Sequence, residues 1–378
     1  MAEHARRGEV GRLIRTLWHL RSGQVVWRLR GAIRRRVWHR YPHALCQSLG
    51  RRGRSLLPVL WDSPALGQFA TFRRERAGLR VSQAEGVLDN RFVLANRTFE
   101  FGERLNWHRE DIRRETPLAG FELHYQSHLE DLALAWERTR DKRYMAKWQE
   151  LIRSWIRGNP PQGPDFARFS WSPYVIAERV RNWLSSGFWM RAGLTAELRK
   201  TVDESLAQQI AFLANNLESH LQANHLLQNL CALAVGTCFL GGDGTEAMRR
   251  RVLSRLARVA EAQVLADGMH EERSFSYHIK ALADLLEVLI CTPGEEGTGG
   301  LRDCAGRMAA VVASTLSEVG DLPLMNDSHE IPSGAAEWVT ARASEYASVP
   351  RPSAAARCSG SGYLTGRAGP WAAVFDVG

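Results

Sequence analysis

Apolar residues recur every three or four positions along most of the chain after Pro117, which is the spacing of amphipathic helices. This pattern predicts helices over 127–140, 142–157, 173–191, 196–218, 222–240, 245–266, 275–291, 303–318 and 335–347. Short breaks rich in glycine, proline and polar residues separate them, and Thr195 is a predicted N-cap. Because consecutive long helices joined by short loops pack antiparallel, the pattern predicts a mainly α fold, built as a helical array or closed ring.

Two regions depart from this pattern. Residues 61–117 look irregular, with a minor strand predicted near 91–94, whereas 361–366 and 371–375 predict two strands around a turn. A two-stranded hairpin cannot bury itself, so the sequence is expected to stop as a β-domain begins. The expected parts are a basic amphipathic N-terminal arm (1–60), a helical domain (61–320) and the truncated start of a β-domain (321–378).

The net charge of +9 comes from the arm alone. Residues 1–60 hold fourteen arginines and two acids, a balance of +12, which leaves the rest of the chain at −3. A protein that binds nucleic acid by charge needs a basic stripe on its folded body, so nucleic acid is not the expected partner. Residues 12–40 place apolar residues at helical spacing between arginines, which fits either peripheral membrane contact or packing on the body or a partner.

Several other classes of protein are disfavoured by composition. No apolar stretch reaches the roughly 18–20 residues of a membrane-spanning helix, and none follows the first basic residues as it would in a secretory signal. The six cysteines form no CxxC pair, and there is neither a histidine–cysteine cluster nor an aspartate-rich calcium loop. We therefore expect no metal site and no cofactor.

Polar residues interrupt the apolar face of the helix predicted over 222–240. His220, Asn224 and Gln228 are spaced by four and share one face. Inside a ring, that face would point into the central cleft, although a solvated surface fits the spacing equally well.

A second unusual segment runs from Asp267 to His278. It reads as a loop that enters a helix capped by Ser274 or Ser276, with Tyr277 at the helix N-terminus. The helix dipole and a nearby Arg273 are both expected to lower the pKa of the Tyr277 phenol. Such a phenol suits acid–base chemistry, although a half-buried structural tyrosine is the alternative.

These two segments resemble the paired signature of the heparinase II/III family of polysaccharide lyases. ANHLLQNLCALAVG at 223–236 carries the Asn-His-Leu motif, and DGMHEERSFSYH at 267–278 matches its Asp-Gly…Glu-x-Ser-x-x-Tyr-His loop. Further similar stretches are FELHYQSHLEDLALAW at 121–136, WSPYVIAERVRNW at 171–183 and LIRTLWHLRSGQVVWRLR at 13–30. The resemblance implies an incomplete (α/α) toroid followed by an antiparallel β-sandwich. It also implies cleavage of an acidic polysaccharide by β-elimination beside a uronic acid.

The resemblance implies catalytic roles for three residues. Asn224 and His225 would bind the C6 carboxylate, and Tyr277 would protonate the departing O4 oxygen and, in some members, also take the C5 proton. The expected substrate-binding residues are His124, Tyr125, Arg179, Arg181, Glu272, Arg273 and His278. The family resemblance also favours a bacterial periplasm or cell envelope as the compartment.

One expected group is missing from this sequence. The family's usual third catalytic group is a histidine from the β-sandwich, beyond the strand that 371–378 resembles. We therefore expect weak or no turnover from these residues, surviving ligand binding, and His278 as a candidate substitute. The alternatives are a glycoside hydrolase using cleft carboxylates such as Asp267, Glu271 and Glu272, and a non-catalytic polysaccharide-binding or biosynthesis-associated protein held at a membrane by its arm.

Overall fold

The computed structural model describes residues 22–162, 166–219, 221, 223–350, 361–369 and 371–376. Its helices are α1 (Ser22–Arg40), α2 (Pro42–Arg54), α3 (Pro64–Gly78), α4 (Ala84–Leu88), α5 (Glu110–Glu115), α6 (Pro117–Tyr125), α7 (His128–Thr139), α8 (Lys142–Gly158), α9 (Pro173–Met190), α10 (Ala196–Asn215), α11 (Ala223–Cys238), α12 (Thr245–Gln263), α13 (Phe275–Cys291), α14 (Gly299–Val319) and α15 (Ala335–Tyr346). The strands are β1 (Arg91–Leu94), β2 (Arg97–Glu100), β3 (Tyr363–Ala368) and β4 (Trp371–Asp376), paired antiparallel as β1–β2 and β3–β4.

The long helices form an inner and an outer layer. Helix α9 contacts α3, α7 and α11, and α13 contacts both α11 and α3, so these five helices make the inner layer. Helices α8, α10, α12 and α14 each pack outside the inner helix that precedes them in the chain. These antiparallel pairs make the mainly α fold an incomplete (α/α) toroid, which confirms the predicted fold class.

Most of the predicted helices are confirmed to within a few residues at each end, and so is the N-cap. Thr195 Oγ1 accepts a hydrogen bond from the amide of Leu198 at 3.2 Å. The expectation of an irregular stretch over 61–117 is wrong in its first part, because α3 is a central helix of fifteen residues. The buried side of α3 packs on α9, α13 and α7 and includes the charged Arg73 beside Leu66 and Phe69, so the helix lacks the uninterrupted apolar stripe that the prediction needs.

The arm and the C-terminal hairpin lie against the outer layer. Helix α2 packs along α10, and strand β3 packs on α14. In the hairpin, Tyr363 stands opposite Asp376, and the side chain of Tyr363 is 1% exposed. Residues 12–21 of the predicted amphipathic stretch lie outside the described residues. Of the helices that the structure describes, none combines the length and the apolar character that a bilayer-spanning helix needs.

Candidate active site

Polar and aromatic side chains meet where α9, α11 and α13 begin and α6 ends. The ring of Tyr174, in the first turn of α9, lies 4.5 Å from the ring of His225 in α11 and 5.9 Å from that of Tyr125 in α6. Burial, followed by the charge of Glu178, raises the pKa of Tyr125 above its ordinary value, and Tyr277 at the start of α13 adds to the rise. The helices α6, α9, α11 and α13 thus bring aromatic side chains together at one end of the helical toroid.

Asn224 is fixed by a carboxylate from the loop before α13. Its backbone amide and its side-chain Nδ2 both donate to Glu272, at 3.1 and 3.0 Å. A carboxylate held by a helix N-terminus is a favourable arrangement, because unpaired backbone amides and the helix dipole favour negative charge there. The Oδ1 of Asn224 is buried and makes no hydrogen bond with the described residues. Glu272 therefore fixes the orientation of this amide.

His225 is oriented from its other side by Glu218. The Nδ1 of His225 lies 3.3 Å from Glu218 Oε2, and Asn229 Nδ2 donates to the same oxygen at 3.2 Å. Asn229 Oδ1 in turn accepts from the backbone amide of Glu218 at 3.1 Å. The imidazole keeps 40% of its side-chain surface exposed, so its second nitrogen remains accessible from the site.

The loop that carries Glu272 and Tyr277 has a conformation that its sequence requires. Gly268 has φ +91°, and a Cβ there would lie 2.5 Å from the carbonyl oxygen of Arg307, so only glycine fits. Ser274 is the predicted N-cap of α13, and its Oγ accepts from the Tyr277 amide at 3.4 Å. The loop therefore sets Tyr277 in the first turn of α13, half-buried.

The expected lowering of the Tyr277 pKa is wrong. Burial, together with the negative charges of Glu272 and Asp327, raises the pKa of this phenol. Arg273 does not counter them, because its backbone takes a left-handed conformation and its Nη1 lies 3.9 Å from Asp376 Oδ1 in the hairpin. The phenol, which is neutral near pH 7 at its ordinary pKa, therefore keeps its proton to higher pH than a free tyrosine.

Asn224 and Tyr277 both interact with Glu272. Glu272 connects them, since it bonds directly to Asn224 and its charge acts on Tyr277. Neither residue is sealed in the core, because both are partly exposed. Of the polar stripe predicted on this helix, His220 lies outside the described residues, and Gln228 is buried and donates to Glu178.

A cleft of about 260 Å³ opens next to this group, although Asn224, Glu272 and Tyr277 are not among the residues that line it. Its lining includes Tyr125, Glu178, Ser276, Lys280, His329 and Trp338. His329 was not predicted from the sequence. Its Nδ1 lies 3.0 Å from Ser276 Oγ, and its ring centroid is 6.0 Å from that of Tyr277. The only sequence signal for it is the polar run Asn326-Asp327-Ser328-His329, which has no helical or strand periodicity.

The floor of the cleft is a buried network of ion pairs. Lys280 Nζ lies 2.6 Å from Glu178 and 3.3 Å from Asp284. Although burial alone would raise it, Lys280 and Arg181 lower the pKa of Glu178 to about 2. Among the described residues the network joins five cations to five carboxylates: Arg73, Arg76, Arg80, Arg181 and Lys280 with Glu130, Asp131, Glu178, Asp284 and Glu287. The floor therefore carries no net charge, and any preference for an anion must come from the helix N-termini above it.

Two predicted substrate-binding arginines do not reach the cleft. Arg181 is fully buried, and its Nη1 donates to Asp284 at 2.6 Å and to Glu287 at 3.2 Å. Arg179 is also fully buried, with its Nε donating to Gln209 at 2.7 Å and its guanidinium 3.9 Å from the centroid of a Trp155 ring. Both guanidinium groups interact with buried side chains of the interior, so the prediction that they line the cleft is wrong.

Two predicted histidines are likewise interior. His124 is 2% exposed and its Nδ1 accepts from Trp155 Nε1 at 3.1 Å, while burial lowers its pKa far below the ordinary value. His278 is fully buried, with Nδ1 accepting from the His270 amide and Nε2 lying 3.0 Å from the Met308 carbonyl. Burial lowers the pKa of His278 to about 4. Since both nitrogens of His278 are occupied, it neither binds a ligand nor substitutes for a missing catalytic group.

Fold and cleft together define a helical-toroid protein with a polar site at one end of the ring. The family model described as Heparinase II/III N-terminus matches residues 70–299. This match covers more than half of the chain, so the chain belongs to that family.

Two curated relatives are heparin-sulfate lyases. The one from Pedobacter heparinus is 27% identical over 188 residues, which are 49% of this chain and 28% of that protein. The one from Bacteroides thetaiotaomicron is 27% identical over 160 residues, which are 42% of this chain and 23% of that protein. The chain thus spans about a quarter of the length of these relatives.

Solved structures show the same fold. A mutant of the heparan sulfate lyase from Pedobacter heparinus superposes with a TM-score of 0.58 at 18% identity, covering 85% of this chain and 60% of that one. A heparinase III structure also has a TM-score of 0.58, at 19% identity, covering 72% of this chain and 44% of that one.

Proposed function

We propose that this chain provides the helical domain of a polysaccharide lyase that cleaves uronic-acid-containing acidic polysaccharides by β-elimination. The observation that carries the proposal is the Asn224–Glu272 pair beside Tyr277, where three helices begin. The printed activity of the relatives, heparin-sulfate lyase, supports an acidic polysaccharide as substrate.

Elimination begins at C5, whose proton is weakly acidic while the neighbouring carboxylate keeps its full charge. Donors aimed at that carboxylate stabilise the charge that develops as the proton leaves, which is usually the largest catalytic contribution. Asn224 supplies such a donor through the second hydrogen of its Nδ2 at the start of α11, where the helix dipole adds to it. Because Nδ1 of His225 donates to Glu218, its Nε2 donates to the substrate carboxylate only in the doubly protonated imidazolium. Glu272 acts as a positioning residue, because it fixes the amide of Asn224.

The remaining steps need a base and an acid. The base removes the C5 proton, the electron pair of that bond forms the C4–C5 double bond, and the C4–O4 bond breaks as O4 takes a proton. A neutral Tyr277 serves as the proton donor to O4, since its raised pKa keeps the proton on the phenol. We assign the base to His329, which is exposed at the cleft with its ring 6.0 Å from Tyr277.

The test is the ultraviolet absorbance of the unsaturated uronate formed from heparan sulfate, alginate and other uronate polysaccharides. Tyr277→Phe removes the proton donor and is expected to lower the rate about 10²–10⁴-fold. Tyr346→Phe is the matched control, because that half-buried tyrosine lies in α15 beside Glu75 and Glu345, away from the Glu272 carboxylate that acts on Tyr277. Asn224→Ala is expected to cost about 10²–10³-fold, as for other lost donors to a developing charge.

The same assay separates the alternatives. Chain cleavage without a double bond would indicate a glycoside hydrolase and overturn the proposal. Binding without cleavage, unaffected by Tyr277→Phe, would indicate a non-catalytic polysaccharide-binding protein. If the His329→Ala variant keeps full activity, the base is another group, although the lyase assignment stands. Peripheral membrane contact through residues 12–40 is a separate proposal that does not depend on this chemistry.

A further inference from the structure

Helix α1 is attached to the body of the protein along one face. The ring of Trp38 lies 5.3 Å from that of Phe212 and 5.7 Å from that of Phe166. On the same side, Arg34 Nη1 donates to the carbonyl of Asn215 at the end of α10. These contacts fix which side of α1 faces outward.

The outward side carries a row of large apolar residues. Leu29, Ile33 and Val37 are 60%, 62% and 48% exposed, and Tyr41, just after the helix, is 57% exposed. Their spacing of four residues puts them in one line along the helix. A single exposed apolar residue needs no explanation, but a continuous row of them indicates a contact surface.

Arginines lie on the same side of α1 as this row. At about 100° per residue, Arg36 and Arg40 project within about 20° of Leu29, and Arg40 also lies over the ring of Tyr41 at 5.4 Å. Both arginines are exposed. No aspartate or glutamate occurs between Glu9 and Asp62, so nothing acidic within this stretch of chain offsets them. The outward face therefore presents large apolar side chains and arginines together.

We propose that this face of α1 lies on an anionic lipid surface. The apolar row would enter the boundary between headgroups and acyl chains, and the arginines would contact lipid phosphates, as in interfacial amphipathic helices. An acidic polysaccharide would engage the arginines but leave the apolar row in water. Complementarity of both charge and polarity therefore favours lipid over polysaccharide.

The proposal is tested by co-sedimentation of the full chain with vesicles. Binding is expected to vesicles that contain phosphatidylglycerol and not to vesicles of phosphatidylcholine alone, because the arginines need anionic headgroups. Ile33→Glu is expected to weaken binding at least about tenfold, since it removes a large side chain from the inserted row. Val81→Glu is the matched control, because Val81 is 90% exposed and lies outside α1.

Two further measurements complete this test. The Arg36→Ala/Arg40→Ala variant is expected to bind less and to show a weaker dependence on salt. Thermal midpoints equal to that of the wild type show that the variants are folded, as expected for exposed positions. Absence of vesicle binding, or equal binding by Ile33→Glu, would overturn the proposal. Weaker retention of the Arg36→Ala/Arg40→Ala variant than of the wild type on immobilised heparin, without vesicle binding by either, would assign the face to polysaccharide instead.

Discussion

Glu287 is the centre of the buried ion network below the cleft. Its side chain is fully buried, and its carboxylate accepts hydrogen bonds from Arg73 at 2.9 Å, Arg76 at 3.2 Å and Arg181 at 3.2 Å. These partners come from α3 and α9, whereas Glu287 belongs to α13. One carboxylate therefore ties together three helices of the inner layer.

The substitution Glu287→Gln tests how much stability this carboxylate contributes. A glutamine has nearly the same shape but no charge, and its amide group would meet arginine donors instead of accepting from them. Removing one partner from a buried ion cluster leaves charge uncompensated, which typically costs about 3–5 kcal/mol. With an unfolding entropy of about 2.1 cal/mol/K per residue, a loss of this size lowers the thermal midpoint of a chain this long by roughly 4–6 °C.

The assay is calorimetry combined with urea denaturation of the wild type and of two variants. Glu137→Gln is the matched control, because Glu137 pairs with Arg74 at 3.2 Å while its side chain is 35% exposed. Exposed pairs contribute about 0–1 kcal/mol, so this variant is expected to unfold within about 1 kcal/mol of the wild type. A loss below 1 kcal/mol for Glu287→Gln would refute the claim that the network holds the inner layer together.

Two further predictions concern acid sensitivity and close packing. Burial lowers the pKa of His270 and His278 to about 4, so the unfolded chain, with ordinary histidines near 6.5, binds more protons between these values. Each histidine therefore contributes roughly 3 kcal/mol to the free energy of unfolding above about pH 6.5, and this contribution is lost as the pH falls to about 4. A free energy of unfolding in urea that is independent of pH over this window would contradict the prediction. In α14, Gly306→Ala is expected to destabilise by about 1–3 kcal/mol, because its Cβ would lie 2.2 Å from the Ser348 carbonyl oxygen, whereas Gly300→Ala in the same helix meets open space. Equal thermal midpoints for these two variants would disprove the clash.

Sequence periodicity predicted the outer helices well, because each has one buried and one exposed side. The inner helices α11 and α13 were predicted from the same spacing, although nearly all of their residues are buried. The prediction failed for α3, because the charged Arg73 is buried on the same side of this helix as Leu66 and Phe69. A charged residue among the buried positions interrupts the apolar stripe on which the prediction depends.

The candidate site was predictable where the signal was local. Asn224, His225, Glu272 and Tyr277 came from two short motifs, and Ser274 caps the N-terminus of the helix that carries Tyr277. Arg181 was misplaced because its partners lie more than 100 residues away in sequence, at Asp284 and Glu287. An arginine in such a network looks the same in sequence as one that faces solvent, and only tertiary structure separates them.

The convergence of α9, α11 and α13 has a consequence for how the site can vary. Peptide groups, unlike imidazoles or amines, do not titrate, so the attraction they exert on a negatively charged guest stays constant across the physiological pH range. It also survives replacement of any side chain around the opening. Proteins with this toroid can thus exchange the side chains around the site to suit a new sugar. The helix N-termini keep the preference for anions, because it comes from the main chain.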